Sequence, residues 1–387
     1  MPYHLDSAQA AALFGLLAEI TSELDLVIGE MLWSEIERLP QERRLERIKT
    51  DRKYHTHAMF RAVLAAERRA AVRRPQEAVA VAELLVALAD RIEPQVAAKP
   101  LRFDWRAEAF MTLAHARRAA ADFVGSQAAL DQAQAFLTYG TGAAATEAGF
   151  IVQQASLLGE LGQFEEAVRR LNRAEALFTR VGDDHSAGKV LLHQALILRH
   201  LEPKRAFDIA EEGLTRLKMG EDERAELSAH YSMAYCQNEL GDTDEAEGIV
   251  STYQYLIAQS DENTQLSFEW LLARIRASQG REAEAEQRLR AVHEQYLDRG
   301  FRFEAVLTTI DLIELLVRQD RVGEGLYLVQ EITPVLNAWG LHKDSLAVML
   351  MLEKHLRQKT AAAAVFREVQ DRLRRSWHLN GEVGVQL

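Results

Sequence analysis

Along most of this chain apolar residues recur every three or four positions with polar residues between them, the pattern of amphipathic helices. The clearest stretch is residues 150–181. Ile151, Ala155 and Leu158 fall on one helical face, Gly162-Gln163-Phe164 interrupts the run, and Ala167, Leu171 and Ala174 form a second face. Small residues at Ala155, Ala167 and Ala174 let two antiparallel helices approach closely, while Leu158, Phe164 and Leu171 fill the space around the contact. Such a pair cannot bury both faces alone and needs copies of itself on either side.

Those copies are present. The small first-helix position recurs at Ala66, Ala114, Ala155, Ala195, Ala234, Ala273 and, with a larger residue, Ile313, at spacings of 48, 41, 40, 39, 39 and 40 residues. The second helices keep the same register at Ala78, Ser126, Ala167, Ala206, Ala246, Ala285 and Gly325. Turns within pairs carry helix-stopping chemistry: Arg74-Pro75, Asp122-Phe123, Gly162-Gln163, Glu202-Pro203, Gly241-Asp242, Gly280-Arg281 and Asp320-Arg321. Loops between pairs fall at Gly140-Thr141-Gly142, Gly182-Asp183-Asp184, Gly220-Glu221-Asp222 and residues 260–263.

The N-terminal part lacks this spacing. Ser7 reads as an N-cap before a helix with Ala11, Phe14, Leu17 and Ala18 on its buried face. A second helix is expected over 23–39, with Leu24, Val27, Ile28, Met31, Leu32 and Ile36 as its apolar stripe, Trp33 beside it and Pro40 ending it; a short helix follows at 41–49. No compact three-helix pattern with a basic recognition helix is present. Helices at 345–356 and 361–377 would cap the far end. The expected organisation is therefore 1–52, a helical cap or partner-binding bundle; 53–378, the repeat solenoid with its capping helices; and 379–387, a tail.

Composition agrees with an all-α chain: 48% hydrophobic residues and only seven prolines. A single cysteine, Cys236, excludes an intramolecular disulfide, and the apolar stretch 8–20 lacks a basic lead and is too short to span a bilayer. Both point to the cytoplasm and away from a membrane. The net charge of −12 argues against nucleic-acid binding by the whole surface. That charge is uneven: residues 38–74 hold twelve Lys/Arg against four Asp/Glu, including Arg43, Arg44, Arg47, Arg68, Arg69, Arg73 and Arg74. Solvated helix faces explain such a run by default, and an acidic partner surface is the functional alternative.

The segments "LLGELGQFEEAVRRLNRAEALF" (157–178) and "YSMAYCQNELGDTDEAEGIV" (231–250) resemble tetratricopeptide (TPR) repeats. The resemblance covers roughly 53–377, and helices preceding a long-period solenoid are similar to the layout of Rap-type bacterial regulators and of sensor domains in large bacterial transcription activators. It implies a right-handed TPR-like superhelical solenoid, a scaffold or regulator that binds a protein or peptide in its concave groove. Being a likeness of layout, it carries no phosphatase activity over. In such a stack the first helices line the groove, which places Glu108, His115, Arg118, Gln153, Lys189, Arg199, Tyr231, Tyr235, Asn238, Trp270, Arg274, Glu314 and Arg318 there. Aromatics interleaved with Arg and Asn suit an extended peptide: rings contribute area, and the polar groups meet its backbone and carboxylates. The Lys/Asn/Asn pattern of carboxylate-clamping TPR domains is replaced by Tyr231, Tyr235 and Asn238. The alternative is a subunit of a nucleic-acid-associated or transcription-regulating complex that uses the basic segment 38–74; self-association around Trp339 and Trp377 is compatible with either.

Catalytic chemistry is not expected. His55 and His57 would point to different faces of a helix, Asp183-Asp184-His185 has no companion ligands, and Gly140-Thr141-Gly142 lacks the Lys-Ser/Thr of a phosphate loop. No zinc spacing or nucleophile elbow is found, so neither enzyme nor cofactor is anticipated, and Cys236 reads as a small buried hydrophobe.

Overall fold

In the computed structural model, residues 24–92, 98–199, 201–338, 343–358 and 363–376 are described, and the regular structure among them is helical throughout. The described part of α1 covers residues 24–34; α2 is Gln41–Thr50, and a 3-10 turn at Arg52–Tyr54 leads into the repeats. Successive antiparallel pairs are α3 (His57–Ala71) with α4 (Pro75–Ala89), α5 (Lys99–Ala119) with α6 (Phe123–Leu137), and α7 (Ala144–Glu160) with α8 (Phe164–Arg180). Then come α9 (Asp184–Leu198) with α10 (Pro203–Arg216), and α11 (Glu223–Leu240) with the broken helix α12 (Thr243–Thr252) and α13 (Gln254–Gln259). The series ends with α14 (Glu262–Ser278) and α15 (Glu282–Arg299), α16 (Arg302–Arg318) and α17 (Val322–Ala338), and α18 (Lys343–Arg357) and α19 (Ala363–Ser376).

The small-residue register is what holds each pair at close range. Ala66, Ala114, Ala155, Ala195, Ala234, Ala273 and Ile313 are all buried, as are Ala78, Ser126, Ala167, Ala206, Ala246 and Ala285. At the fourteenth position, Gly325, an added Cβ would lie 3.3 Å from Ile313 Cγ2, so the larger first-helix residue is matched by the smallest second-helix one.

Five of the turns close identically. The amides of Asp122, Gln163, Asp242, Arg281 and Arg321 donate back to the carbonyls of Arg117, Leu158, Gln237, Arg276 and Leu316 at 2.8–2.9 Å. This is the six-to-one bond of a Schellman closure, which needs a left-handed residue just before it. Gly162, Gly241 and Gly280 supply it, and Ala121 (φ 60) and Asp320 (φ 58) take the same conformation without being glycine. The other two turns instead place Pro75 and Pro203 at the start of α4 and α10.

The stack bends far enough to meet itself. One apolar cluster contains Ala71 and Phe123 from the first two pairs together with Phe303, Leu307 and Ile310 from α16. The Phe123 and Phe303 rings meet edge to face, with centroids 6.3 Å apart. Beside them Gly300 sits against the Gln76 side chain, where a Cβ would come within 2.8 Å of Oε1. The curved wall expected from the repeats thus meets itself along a seam, and its inner side is a cleft.

At the N-terminus the structure differs from the expected stripe. The helical stretch stops at residue 34, and Leu24, Val27 and Met31 are exposed. Leu32, Trp33 and Ile36 are the buried residues, packed with Ile48, Phe60, Leu84 and Leu85 against α3 and α4. Trp33 wins the core position because it contributes far more apolar area than Val27. His55 and His57 go separate ways: His55 Nε2 is 2.8 Å from the Ile48 carbonyl, while His57 stacks on Trp105 and lies 3.2 Å from Asp25. Ser7, the stretch 8–20, Trp339, Trp377 and the tail lie outside the described residues.

Candidate ligand cleft on the inner face

First helices α11, α14 and α16 form the floor of a cleft of about 420 Å³. A second cavity of about 190 Å³ shares Tyr235, Arg274 and Gln370 with it, and a third of about 160 Å³ shares Glu160, Arg224, Asn263, Phe303 and Glu304. The three form one continuous hollow along the inside of the stack.

Of the residues expected in the groove, Arg199, Tyr231, Tyr235, Trp270 and Arg274 line the central cleft. Asn238, Glu314 and Arg318 line the second cavity, and His115 and Arg118 the third. Lys189 lines none of the three; its ammonium pairs with Asp222 at 2.7 Å. Glu108 on α5 is partly buried, which raises its carboxyl pKa against the nearby charges of Arg68, Arg61 and His57, and Gln153 is partly buried on α7.

Aromatic side chains build the wall. Tyr231 stands edge-on to Phe268 at 5.3 Å, Trp270 edge-on to Tyr296 at 6.0 Å, and the Arg199 guanidinium lies over the Tyr231 and Tyr235 rings at 5.0 and 4.7 Å. Burial pushes the Tyr235 and Tyr296 hydroxyls well above the usual tyrosine range.

Arg274 is the hub of a polar network. Its guanidinium donates to both Asp311 oxygens at 3.0 and 2.9 Å, to Glu239 at 2.9 Å and to the Tyr235 hydroxyl at 3.0 Å. Asp311 also accepts from Trp270 Nε1 at 2.7 Å and from Gln370 Nε2 at 2.9 Å. Burial opposes the charge on Arg274, but Asp311 and Glu239 more than offset it, so its pKa is raised. Helices α11, α14, α16 and α19 are joined through the Arg274–Asp311 pair. By contrast, Asn238 Oδ1, in the adjoining cavity, is buried and has no hydrogen-bond partner among the described residues.

Several lining residues were not legible in the repeat register. Arg224, Asn263 and Glu304 occupy the first turns of α11, α14 and α16, about ten positions before the packing residue, whereas the expected groove positions lie in the middle of each helix. Gln370 arrives from α19, which folds back over α16. His193, on α9, is held neutral: burial and the cations Arg118, Lys189 and His115 push its pKa down to about 4. The Cys236 thiol is buried and pushed up to about 12, so it is not a nucleophile.

A larger hollow, about 630 Å³, lies elsewhere, between α6, α7 and α8. Its arginines are already engaged: Arg169 with Glu166, Arg170 with Glu166 and Gln154, and Arg173 with Glu147. In the basic segment Arg43, Lys53 and Arg69 likewise pair with Glu46, Glu35 and Glu30. Among the described residues no group of three His, Cys, Asp or Glu side chains is placed to hold a metal, and no helix is long and apolar enough to cross a membrane.

Against solved structures the chain is similar to a Rap protein complexed with competence and sporulation factor, with a TM-score of 0.61 over 80% of this chain and 85% of that one. The fold is a TPR-type solenoid with the Rap layout. Identity is 14%, so the likeness is one of fold. No family model matches the sequence, and no curated protein matches it.

Proposed function

We propose that this chain is a cytoplasmic scaffold or regulator that receives a short extended peptide, or an extended segment of a protein, in its inner cleft. The observation that carries the reading is the continuous hollow whose aromatic wall ends on Asn238, a buried amide oxygen without a partner among the described residues. A buried acceptor in that state costs free energy, on the order of 1–3 kcal/mol, until a donor reaches it. A peptide N–H is such a donor. Rings supply contact area at low entropic cost, and the network around Arg274 keeps the wall rigid before anything binds. The Rap protein of similar fold is complexed with competence and sporulation factor, which supports the same use of this architecture. No reaction is assigned.

Site-specific photocrosslinking in cells tests the reading. A crosslinker at Ser228, on the cleft wall, should capture a peptide or protein segment, and one at the exposed Tyr255 on α13 should not. Capture at 255 alone would move the binding surface off the inner face.

A further inference from the structure

The helix pairs are not joined equally along the stack. Helices α4 and α8 lie closely along α5 and α9, whereas α6 meets α7 sparsely. The hollow of about 630 Å³ opens at that joint, with α7 as its floor and α6 and α8 as its walls. Each wall is satisfied within its own pair. On α6, Gln127 donates to Asp131 and Thr138 to the Ala135 carbonyl; on α8, Arg169, Arg170 and Arg173 serve Glu166, Gln154 and Glu147. The tie between the two pairs lies on the opposite, inner side, where Arg118 of α5 meets Glu160 of α7 at 3.3 Å. Phe150 and Leu157 of α7 share an apolar cluster with Leu113 and Ala114 of α5 there. The joint between α12 and α14 is also sparse, but Arg276 of α14 staples it by pairing with Glu247 of α12 and Glu284 of α15.

Residues 138–143 connect α6 to α7 across this joint, and one part of the connector is pinned while the next is loose. Asp104 of α5, 7% exposed, accepts from the Thr141 amide at 3.1 Å and from the Thr141 hydroxyl, and it leaves no room for a Cβ on Gly140. Beyond that pin Gly142 is left-handed (φ 72) with open space around it, and it and Ala143 are exposed. Tie and hollow lie on opposite sides of the stack, which sets the sign of any bending. Closing the outer gap between α6 and α8 about the inner α5–α7 contact straightens the stack and carries the first two pairs away from α16. That motion parts Phe123 from Phe303 and Gln76 from Gly300. It also widens the third cavity, which Arg68, His115 and Phe123 line from one side of the seam and Phe301 and Phe303 from the other.

We propose that the first two helix pairs form an arm that swings about the α5–α7 contact, with Gly142 and Ala143 as its hinge, the outer hollow as the space it closes into and the Phe123–Phe303 seam as its catch, so that the arm gates the seam end of the inner cleft. The swing goes beyond the reading of the cleft as a peptide site and is independent of it, because the protein alone samples both positions. The catch is a light one. An edge-to-face ring pair shifts an open-to-shut ratio by about twofold to tenfold beyond the area it buries.

Spin-label distances in the full chain test the swing. The single native thiol, Cys236, is buried, so labels go to introduced cysteines at exposed positions. Gln132→Cys with Glu294→Cys spans the seam, and Gln132→Cys with Glu77→Cys lies within the arm. Phe303→Ala should raise the population at the longer Gln132–Glu294 separation about tenfold or more, with the Gln132–Glu77 separation unchanged. Adding Gln134→Trp and Thr146→Trp, which place an indole on each side of the hollow, should prop the outer gap and return the seam pair to its short separation. Should Phe303→Ala lose its cooperative melt, Phe303→Leu keeps the apolar bulk, drops the ring edge and should shift the same ratio by a few-fold. An unchanged seam separation in a folded Phe303 variant overturns the catch. A long population that survives the two indoles places the bend at another joint and overturns the hinge, and an arm pair that lengthens with the seam pair shows that the first two pairs do not move as one body.

Discussion

Arg274 and Glu304 line one cleft from neighbouring helices of the inner face, and they have opposite circumstances. Arg274 is met by two carboxylates and a phenol, and its principal partner Asp311 is further held by Trp270 and Gln370. Glu304 is partly buried, and its carboxylate accepts from its own backbone N–H. The first arrangement balances its charge within the fold and fixes the wall; the second faces Glu160, a charge of the same sign. A charged residue in a groove is therefore not by itself a ligand contact. What distinguishes framework from recognition is whether its charge is already balanced.

The largest expected effect tests the framework side. Arg274→Ala leaves Asp311, which is 8% exposed, with its countercharge removed, and should destabilise the fold by about 3–5 kcal/mol, read as a drop in melting temperature. Adding Asp311→Asn should recover part of that loss; no recovery would mean that the pair does not act as a unit. Loss of binding in Arg274→Ala alone would then report a loosened wall.

Next comes the recognition side. Since the folded-state pKa of Glu304 is about 7 against an ordinary 4.5, the native state holds the proton over that interval and the unfolded state does not. Stability should fall as pH rises from 4.5 to 7 through this group. Glu304→Gln should remove that loss, gaining on the order of 2 kcal/mol at pH 8 and nothing at pH 4 in denaturant titrations. An equal gain at both ends would show that the carboxyl is not desolvated.

His230 supplies a smaller contrast of opposite sign. Its ring stacks on Tyr253 at 3.5 Å and burial lowers its pKa to about 4, so the unfolded state takes up the proton first as pH falls below 6.5. His230→Gln should flatten the acid-side loss by roughly 1 kcal/mol at pH 5. The smallest effect separates cleft from surface. Raising salt from 50 to 200 mM should weaken a peptide held on the rings of the cleft only a few-fold, while a nucleic acid held by 38–74 would dissociate by orders of magnitude. Arg43→Ala with Arg44→Ala should leave peptide binding unchanged.

Packing was legible in the sequence because it obeys the repeat. All fourteen register positions are buried, and Gly325 sits tightly against Ile313. The mid-helix inner residues Tyr231, Tyr235 and Trp270 follow from the same register. What the register cannot carry are contacts between modules far apart in the chain. Asp311 and Gln370 meet only because α19 folds back, and Glu304 reaches Glu160 only because the stack returns on itself. Leu24, Val27 and Met31 share a helical stripe yet face outward, since periodicity gives a face but not which side the neighbours cover.

The edge-to-face meeting of Phe123 and Phe303 has a topological consequence. An open array tolerates an added or deleted module, because each unit feels only the adjacent ones. Here the count is fixed by circumference: removing one unit would pull the two phenylalanines out of reach, and adding one would force them past each other. Lengthening this protein by a repeat should therefore cost cooperativity, where in an unclosed array it would add to it.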